Sequence, residues 1–143
     1  MTERSVRIAS AVLASLGAAI SAYILYVRET NGSLVCSTGG CETVQSSSYA
    51  ELLGLPVAAL GLAGFVVLLV AALTRGELAR LVNATVALAA FLFAAYLLAV
   101  QLVVLDAICQ WCVASAVCWC VLGVVEALRF WRAGLASGTP VAP

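Results

Sequence analysis

Four long stretches of this sequence contain no charged residue, and this feature constrains the fold more than any other. They are Ile8–Val27, Leu52–Thr74, Leu81–Leu105 and Ala107–Val125. Each has about the length that an α-helix needs to cross a hydrocarbon core of about 30 Å at about 1.5 Å per residue. Because lipid offers no hydrogen-bond partners, backbone groups within a membrane must pair inside the segment. We therefore predict an all-α membrane protein, a bundle of four transmembrane helices.

The composition agrees with lipid as the main solvent of the chain. Of the 143 residues, 64% are hydrophobic and only 10% are charged, and the mean hydropathy is +1.13. The net charge is zero, so the sequence offers no basic surface for nucleic acid. Histidine is absent, which excludes imidazole metal or haem ligands and nucleophiles activated by histidine.

The cationic residues, all of them arginine, predict the orientation. In a topology with four crossings only Arg28 lies on one side, and six lie on the other: Arg4, Arg7, Arg75, Arg80, Arg129 and Arg132. The positive-inside rule then puts both termini in the cytoplasm and makes this a multi-pass protein of the cytoplasmic membrane. A cleaved signal peptide is the alternative for the first stretch, but the stretch is longer than a usual signal h-region. We predict one membrane domain over residues 1–132 and a disordered cytoplasmic tail over residues 133–143.

Two outer segments, one after the first predicted helix and one after the third, contain the residues that could take part in a reaction. The first contains Cys36-Ser-Thr-Gly-Gly-Cys41 and then Glu42–Leu53, which we expect to form a short surface helix ended by Gly54. The second is short, and Asp106 is a natural N-cap for the last helix. Cys109-Gln-Trp-Cys112 then occupies the first turns of that helix.

The two cysteine pairs fall on the outer side of the membrane, where an oxidising compartment lets disulfides form and persist. Cys109 and Cys112 share one face of a helix N-terminus, where unpaired N–H groups and the helix dipole stabilise a thiolate. The thiolate is the species that attacks disulfides. Cys36 and Cys41 enclose two glycines, which allow the tight closure that a disulfide requires. The pattern therefore predicts a thiol–disulfide redox protein.

Several alternatives remain open on the residues alone. The two cysteine spacings also fit a structural zinc site with four cysteine ligands or a pair of inert disulfides, although short disulfide loops stabilise little. Cys118 and Cys120 lie deep in the last helix on different faces, so we expect them to be small buried hydrophobes. The polar residues Asn83, Thr85 and Gln101 would either line a cavity or, as we expect, form interhelical hydrogen bonds.

Taken together, these residues resemble the vitamin K epoxide reductase family, in its bacterial branch. The resemblance covers residues 8–130 or so and rests on three motifs: Cys36-x4-Cys41-Glu-x-Val-x-Ser-Ser, Gly54-Leu-Pro56-x4-Gly61 and Cys109-Gln-Trp-Cys112. It implies a four-helix bundle around a quinone, either menaquinone or ubiquinone. It also implies that the outer loop between the first two helices acts as a lid.

The resemblance implies a role for each matching residue. Cys36 and Cys41 become the shuttle pair, and Cys109 and Cys112 the active-site pair, with Cys112 nearest the quinone. Ser47 matches a Ser or Thr of the family's loop and is implied to bind the quinone, whereas a serine run taken alone would indicate a solvated loop. The implied enzyme reoxidises a secreted or periplasmic thioredoxin-fold protein of DsbA type and passes the electrons to quinone, which supports disulfide bond formation.

Departures from the animal members narrow this expectation. Ala116 stands where the animal pattern has Tyr. The animal pattern also has an Asn near the start of the second helix, and Pro56–Gly61 contains none. Because the resemblance implies that these polar groups help to hold vitamin K derivatives, we do not expect epoxide reduction. The sequence continues only to Pro143, so we expect a stand-alone member whose thiol partner is a separate protein. Two other functions remain open: a four-helix scaffold with structural disulfides or a metal but no quinone, and a conduit that carries reducing equivalents outward.

Overall fold

The computed structural model describes residues 2–138, which form four long helices and a short outer segment. The elements are α1 (Glu3–Glu29), the short helix α2 (Cys41–Ser46), a 3-10 turn (Ser48–Ala50), α3 (Val57–Leu73), α4 (Glu77–Ala99) with a π-helical continuation (Val100–Val104), and α5 (Gln110–Ala136). By length and composition α1, α5 and α4 with its continuation can each cross a membrane, and α3 is a shorter apolar helix. Helix α5 includes the first residues of the predicted tail, whose residues 139–143 lie outside the described part.

The four long helices pack as a ring in which each contacts two neighbours, in the order α1, α3, α4, α5 and back to α1. At the centre of the ring, the side chains of Phe65 and Trp119 are buried and stack with their ring centroids 3.9 Å apart. Apolar residues of all four helices surround this stack. The stack is therefore part of the core that all four long helices share.

A glycine in α1 makes room for this stack. A Cβ atom on Gly17 would lie 2.3 Å from the ring of Phe65, which is fully buried and cannot move aside. We expect Gly17→Ala to lower the free energy of unfolding by about 1–3 kcal/mol through overpacking, measured by thermal or denaturant unfolding in detergent. Gly61→Ala in α3 is the control, because its Cβ would approach only a serine hydroxyl, at 3.3 Å. Equal losses in the two variants would contradict this steric explanation.

The outer segment differs from the predicted surface helix. The helix expected over Glu42–Leu53 forms only as far as Ser46, where α2 ends, because Glu51–Leu52 and Leu55–Pro56 form an antiparallel hairpin instead. Leu53 and Gly54 occupy its turn with φ of 53° and 82°, and two consecutive positive φ angles are typical of tight hairpin turns. Gly54 therefore reverses the chain rather than ending a helix, and α3 begins only after the hairpin.

The expected N-cap of the last helix was also wrong. Asp106 has φ 45° and lies in the turn that follows the π-helical segment. The backbone N–H of Ala107 donates to Gln101 O at 3.1 Å, so the chain reverses before α5 can start. Cys109 takes the capping position instead, and its Sγ accepts the backbone N–H of Cys112. Because of this shift, one of the predicted redox sulfurs is itself the helix cap.

Candidate active site

The loop cysteines form a disulfide, and the cysteines of the last helix are free thiols. Cys36 and Cys41 are joined with their Cα atoms 6.1 Å apart, whereas Cys109 and Cys112 are unbonded to each other. Helix α2 starts at Cys41, which is buried, and Cys36 before it is half-buried. The two sulfurs of the loop disulfide therefore differ in accessibility, with Cys36 the more open to an incoming thiol.

Hydrogen bonds hold the loop before Cys41 against the turn that precedes α5. They join Ser37 N to Gln110 Oε1 (2.9 Å), Thr38 Oγ1 to Ile108 O (2.6 Å) and Trp111 Nε1 to Val35 O (2.7 Å). We call this set the loop clamp. The bonds of Ser37 and Trp111 involve no sulfur, whereas Thr38 Oγ1 also lies 3.2 Å from Cys36 Sγ, so two of the three bonds fix the loop independently of the sulfurs.

The two backbones meet most closely at Gly40. A Cβ atom there would lie 2.6 Å from both N and O of Ile108. The φ of Gly40 is −98°, which any residue can adopt, so glycine is needed here for space and not for its conformation. Immediately after this contact, Cys41 is buried with Cys109 in one cluster, and the two are 1% and 0% exposed. The packing therefore brings together one cysteine of each pair.

Two glutamines fix the pair at the start of α5. Gln101, buried in the π-helical segment, accepts the backbone N–H of Cys109 through Oε1 at 3.0 Å. Gln45 of α2 donates its amide N–H to Cys112 Sγ at 3.2 Å and lies 4.0 Å from Cys109 Sγ. A π-helical insertion is often found at functional sites, and here it aims a side chain at the CxxC motif.

The environment of Cys109 favours its thiolate. Hydrogen bonding from the Cys112 thiol lowers the pKa of Cys109 most, the Cys112 backbone N–H and the Gln45 amide lower it further, and burial opposes them. A low pKa makes a thiol a better leaving group in disulfide exchange. Cys109 is thus suited to be released from a mixed disulfide with the loop.

A cavity of about 400 Å³ lies directly below the thiols, between the four long helices. Cys112, Gln45 and Ser47 line its outer end, and Trp119 of the central stack lines it deeper in the bundle. The rest of the wall is mostly apolar, and its other polar residues are Ser21, Tyr49, Gln101 and Ser115. Leu60 lines the cavity and is 37% exposed, so the cavity reaches the surface of the bundle. An apolar, flat molecule fits such a space better than a charged one.

Ser47 lies in this wall, but its hydroxyl is engaged. The Oγ–H donates to Val44 O at 2.7 Å, which caps the end of α2. In this arrangement the oxygen can accept a hydrogen bond from a ligand. To donate one to a ligand's carbonyl, the side chain would have to rotate away from Val44.

A comparison with protein-family models matches residues 8–127 to the Vitamin K epoxide reductase family. The chain belongs to this family. Membership confirms the resemblance drawn from the cysteine motifs, and it gives the coarse function, that of a membrane-embedded thiol–disulfide oxidoreductase. Vitamin K epoxide reductase family members act on disulfides and are in general linked to quinones.

The remaining cysteines stand apart from this site. Cys118 is buried in the core cluster around the Phe65–Trp119 stack, Cys120 is half-buried, and neither lines the cavity below Cys112. We expect Cys118→Ala combined with Cys120→Ala to keep thiol–disulfide turnover within a few-fold of the parent, because only packing is lost. Steady-state turnover in detergent measures this. Complete loss of activity in well-folded protein would show that these cysteines take part in the family's chemistry.

Sequence reasoning missed Gln45 and the particular partner of Gln101. Gln45 lies four residues after Cys41, hence on the same helix face, and this spacing could have indicated it. Gln101 has both roles that the sequence left open, since it lines the cavity and its hydrogen bond joins the π-helical segment to the cap of α5. Asn83 is buried, and its Oδ1 has no partner among the described residues; Thr85 is exposed. Within residues 2–138 no three cysteine or carboxylate side chains converge as metal ligands, so the zinc alternative gains no support.

Proposed function

We propose that this member of the vitamin K epoxide reductase family takes electrons from a separate thioredoxin-fold dithiol protein of DsbA type and delivers them to a membrane quinone. One observation carries the proposal: Cys41 and Cys109 are buried together directly beside a cavity that Cys112 lines. One pair is thereby linked to the outer surface through Cys36, and the other pair is linked to the apolar interior.

The first half of the reaction is thiol–disulfide exchange at the loop. A thiolate of the partner attacks Cys36, the more accessible sulfur, and the Cys36–Cys41 bond breaks with Cys41 leaving as thiolate. Cys41 then attacks Cys109 of an oxidised Cys109–Cys112 pair, and Cys112 leaves. The partner's second thiolate displaces Cys36 and so completes the partner's own disulfide.

The second half restores the loop and reduces the acceptor. Cys36 attacks Cys41, the loop disulfide forms again, and Cys109 leaves as the thiolate that its hydrogen bonds favour. This yields the combination found in the structure, with a loop disulfide and a free Cys109–Cys112 pair. A quinone, when bound, supplies an acceptor for two electrons and two protons. As Cys109 and Cys112 return to a disulfide, their two thiols release two electrons and two protons.

The cavity supports a quinone as the acceptor. Its volume of about 400 Å³ and its mostly apolar wall suit a quinone ring, and Gln45, Ser47 and Gln101 line it together with Cys112. Cys112 and Ser47 are the residues that we assign to contact it. No side chain needs to act as a general base in this scheme, because thiolates and the quinone carry the chemistry.

The decisive experiment is a quinone reduction assay on the purified protein in detergent. A reduced thioredoxin-fold protein is the electron donor, and short-chain analogues of menaquinone and ubiquinone are offered separately. We expect at least one quinone to be reduced and one partner disulfide to form for each quinone consumed. If the protein exchanged disulfides with the donor but reduced neither quinone, its electron acceptor would be a different molecule. That result would refute the proposal.

The proposed orientation puts both termini in the cytoplasm and both cysteine pairs on the outer face. It rests on the distribution of the seven arginines, with Arg28 alone near the cysteines. A reporter that is active only outside the cytoplasm should therefore be silent when it is fused after residue 139. The same reporter inserted after Asn31, in the turn that follows α1, should be active. The opposite pattern would mean that the bundle is inverted and that its thiols face the cytoplasm.

A further inference from the structure

The end of the bundle remote from the redox cysteines contains a second cavity, of about 660 Å³, which the proposed reaction does not use. Four guanidinium groups from three parts of the chain line it: Arg4 and Arg7 of α1, Arg75 of the turn between α3 and α4, and Arg129 of α5. Glu3 is the one acidic residue in its wall. The positive-inside rule accounts for arginines at this end, but not for their convergence around one hollow.

The arginines divide into one that is neutralised and three that are not. Arg129 contacts Glu3 and lies 3.3 Å from a carboxylate oxygen of Glu126, which is only 2% exposed. Arg7 donates to the carbonyl oxygens of Ala72 and Leu73 at the end of α3, at 2.9 and 3.2 Å, but pairs with no carboxylate among the described residues. In the part of the chain that the structure describes, Arg4 and Arg75 form no ion pair. The four guanidinium groups of the cavity against the carboxylates of Glu3 and Glu126 leave a net charge of +2 around it.

The remaining wall of this cavity is apolar. Ile8 and Ala11 of α1 and Leu73 of α3 line it, and the side chains of Ile8 and Leu73 are 55% and 68% exposed. Ile8 and Ala11 follow the arginines along α1 toward the membrane interior. The cavity therefore combines a cationic rim with an apolar side that lies where lipid chains would lie.

We propose that this cavity binds an anionic phospholipid, with its phosphate on Arg4, Arg7 and Arg75 and an acyl chain along Ile8 and Ala11. Guanidinium groups bind phosphate oxygens through paired, charge-assisted hydrogen bonds, and basic pockets between transmembrane helices bind lipid head groups. A free phosphate ion would use the rim but not the apolar wall. The lipid would tie α1 to the α3–α4 turn, next to the end of α3 that Arg7 already joins to α1.

The test compares two double variants of the full-length protein in detergent. Arg4→Gln with Arg75→Gln removes two groups of the rim, and Arg80→Gln with Arg132→Gln removes the same charge from the same end but outside the cavity. Binding is measured by native mass spectrometry with phosphatidylglycerol, with phosphatidylcholine and with inorganic phosphate, together with the shift in melting temperature.

We expect phosphatidylglycerol to bind the parent and the Arg80/Arg132 variant alike and to raise their melting temperatures. In the Arg4/Arg75 variant the affinity should fall about ten- to thirty-fold, as two arginine contacts at a membrane surface predict. Phosphatidylcholine and inorganic phosphate should produce neither effect. If both variants lost the same affinity for phosphatidylglycerol, the lipid would be attracted by net charge alone. That result would overturn the proposal. An equal stabilisation by inorganic phosphate would overturn it in favour of a free anion.

Discussion

Cys36→Ser is expected to lose oxidation of its protein partner completely and yet to keep reducing quinone with dithiothreitol. In the proposed scheme this change removes the sulfur that the partner attacks but leaves Cys109 and Cys112 whole. A small dithiol can approach the pair without the loop disulfide. The two activities are measured side by side on one preparation, the first from the partner's thiol content and the second from quinone absorbance.

Cys112→Ser is the matched variant, and it should abolish both activities because the sulfur beside the cavity is lost. Cys41→Ser should instead accumulate a mixed disulfide between Cys36 and the partner, since the resolving thiol is missing. If Cys112→Ser kept its quinone reduction while Cys36→Ser lost it even with dithiothreitol, the loop pair would face the quinone. The direction of the relay would then be the reverse of the one proposed.

Gly40→Ala is expected to slow partner-driven quinone reduction by about a hundredfold, while reduction driven by dithiothreitol changes little. The added methyl group would lie 2.6 Å from backbone atoms of Ile108, which cannot yield as a flexible side chain does. A displacement of about 1 Å between reacting groups can cost about that factor. Stopped-flow measurement of electron transfer from the reduced loop to the Cys109–Cys112 pair would locate the defect in this one step.

Gly39→Asn provides the control for this variant. Gly39 has φ +75°, and a Cβ atom there would meet no other atom within 4 Å. Asparagine tolerates that conformation better than other side chains. It should therefore leave transfer close to the parent rate. If both variants lost transfer to the same extent, the loss would come from reduced flexibility of the loop. The close contact between Gly40 and Ile108 would then not explain it.

The features that the sequence predicted well are those written in contiguous residues. Uncharged stretches predicted the four long helices, because exclusion of charge from lipid acts on every residue of a span. The cysteine motifs predicted the disulfide between Cys36 and Cys41 and the position of Cys109-Gln-Trp-Cys112 at a helix start. Their functional roles remain predictions that the variants above would test.

The features that escaped prediction depend on contacts between distant residues. The hairpin at Glu51–Pro56 requires a positive φ at Leu53, which the propensity of leucine does not indicate. The pairing of Gln45 with Cys112 spans 67 positions, and it exists only once α2 has docked on α5. Asp106 has the right chemistry for an N-cap, but the π-helical turn before it moved the helix start to Gln110.

The loop clamp has a kinetic consequence. Because the hydrogen bonds of Ser37 and Trp111 involve no sulfur, the loop can stay docked while the sulfur bonding changes. Attack of Cys41 on Cys109 is then an intramolecular reaction, and well-oriented reactions of this kind reach effective molarities of about 10⁵ M or more. A soluble thiol at millimolar concentration cannot compete with such a neighbour. The relay should therefore exchange electrons along one route even in a compartment crowded with other thiols.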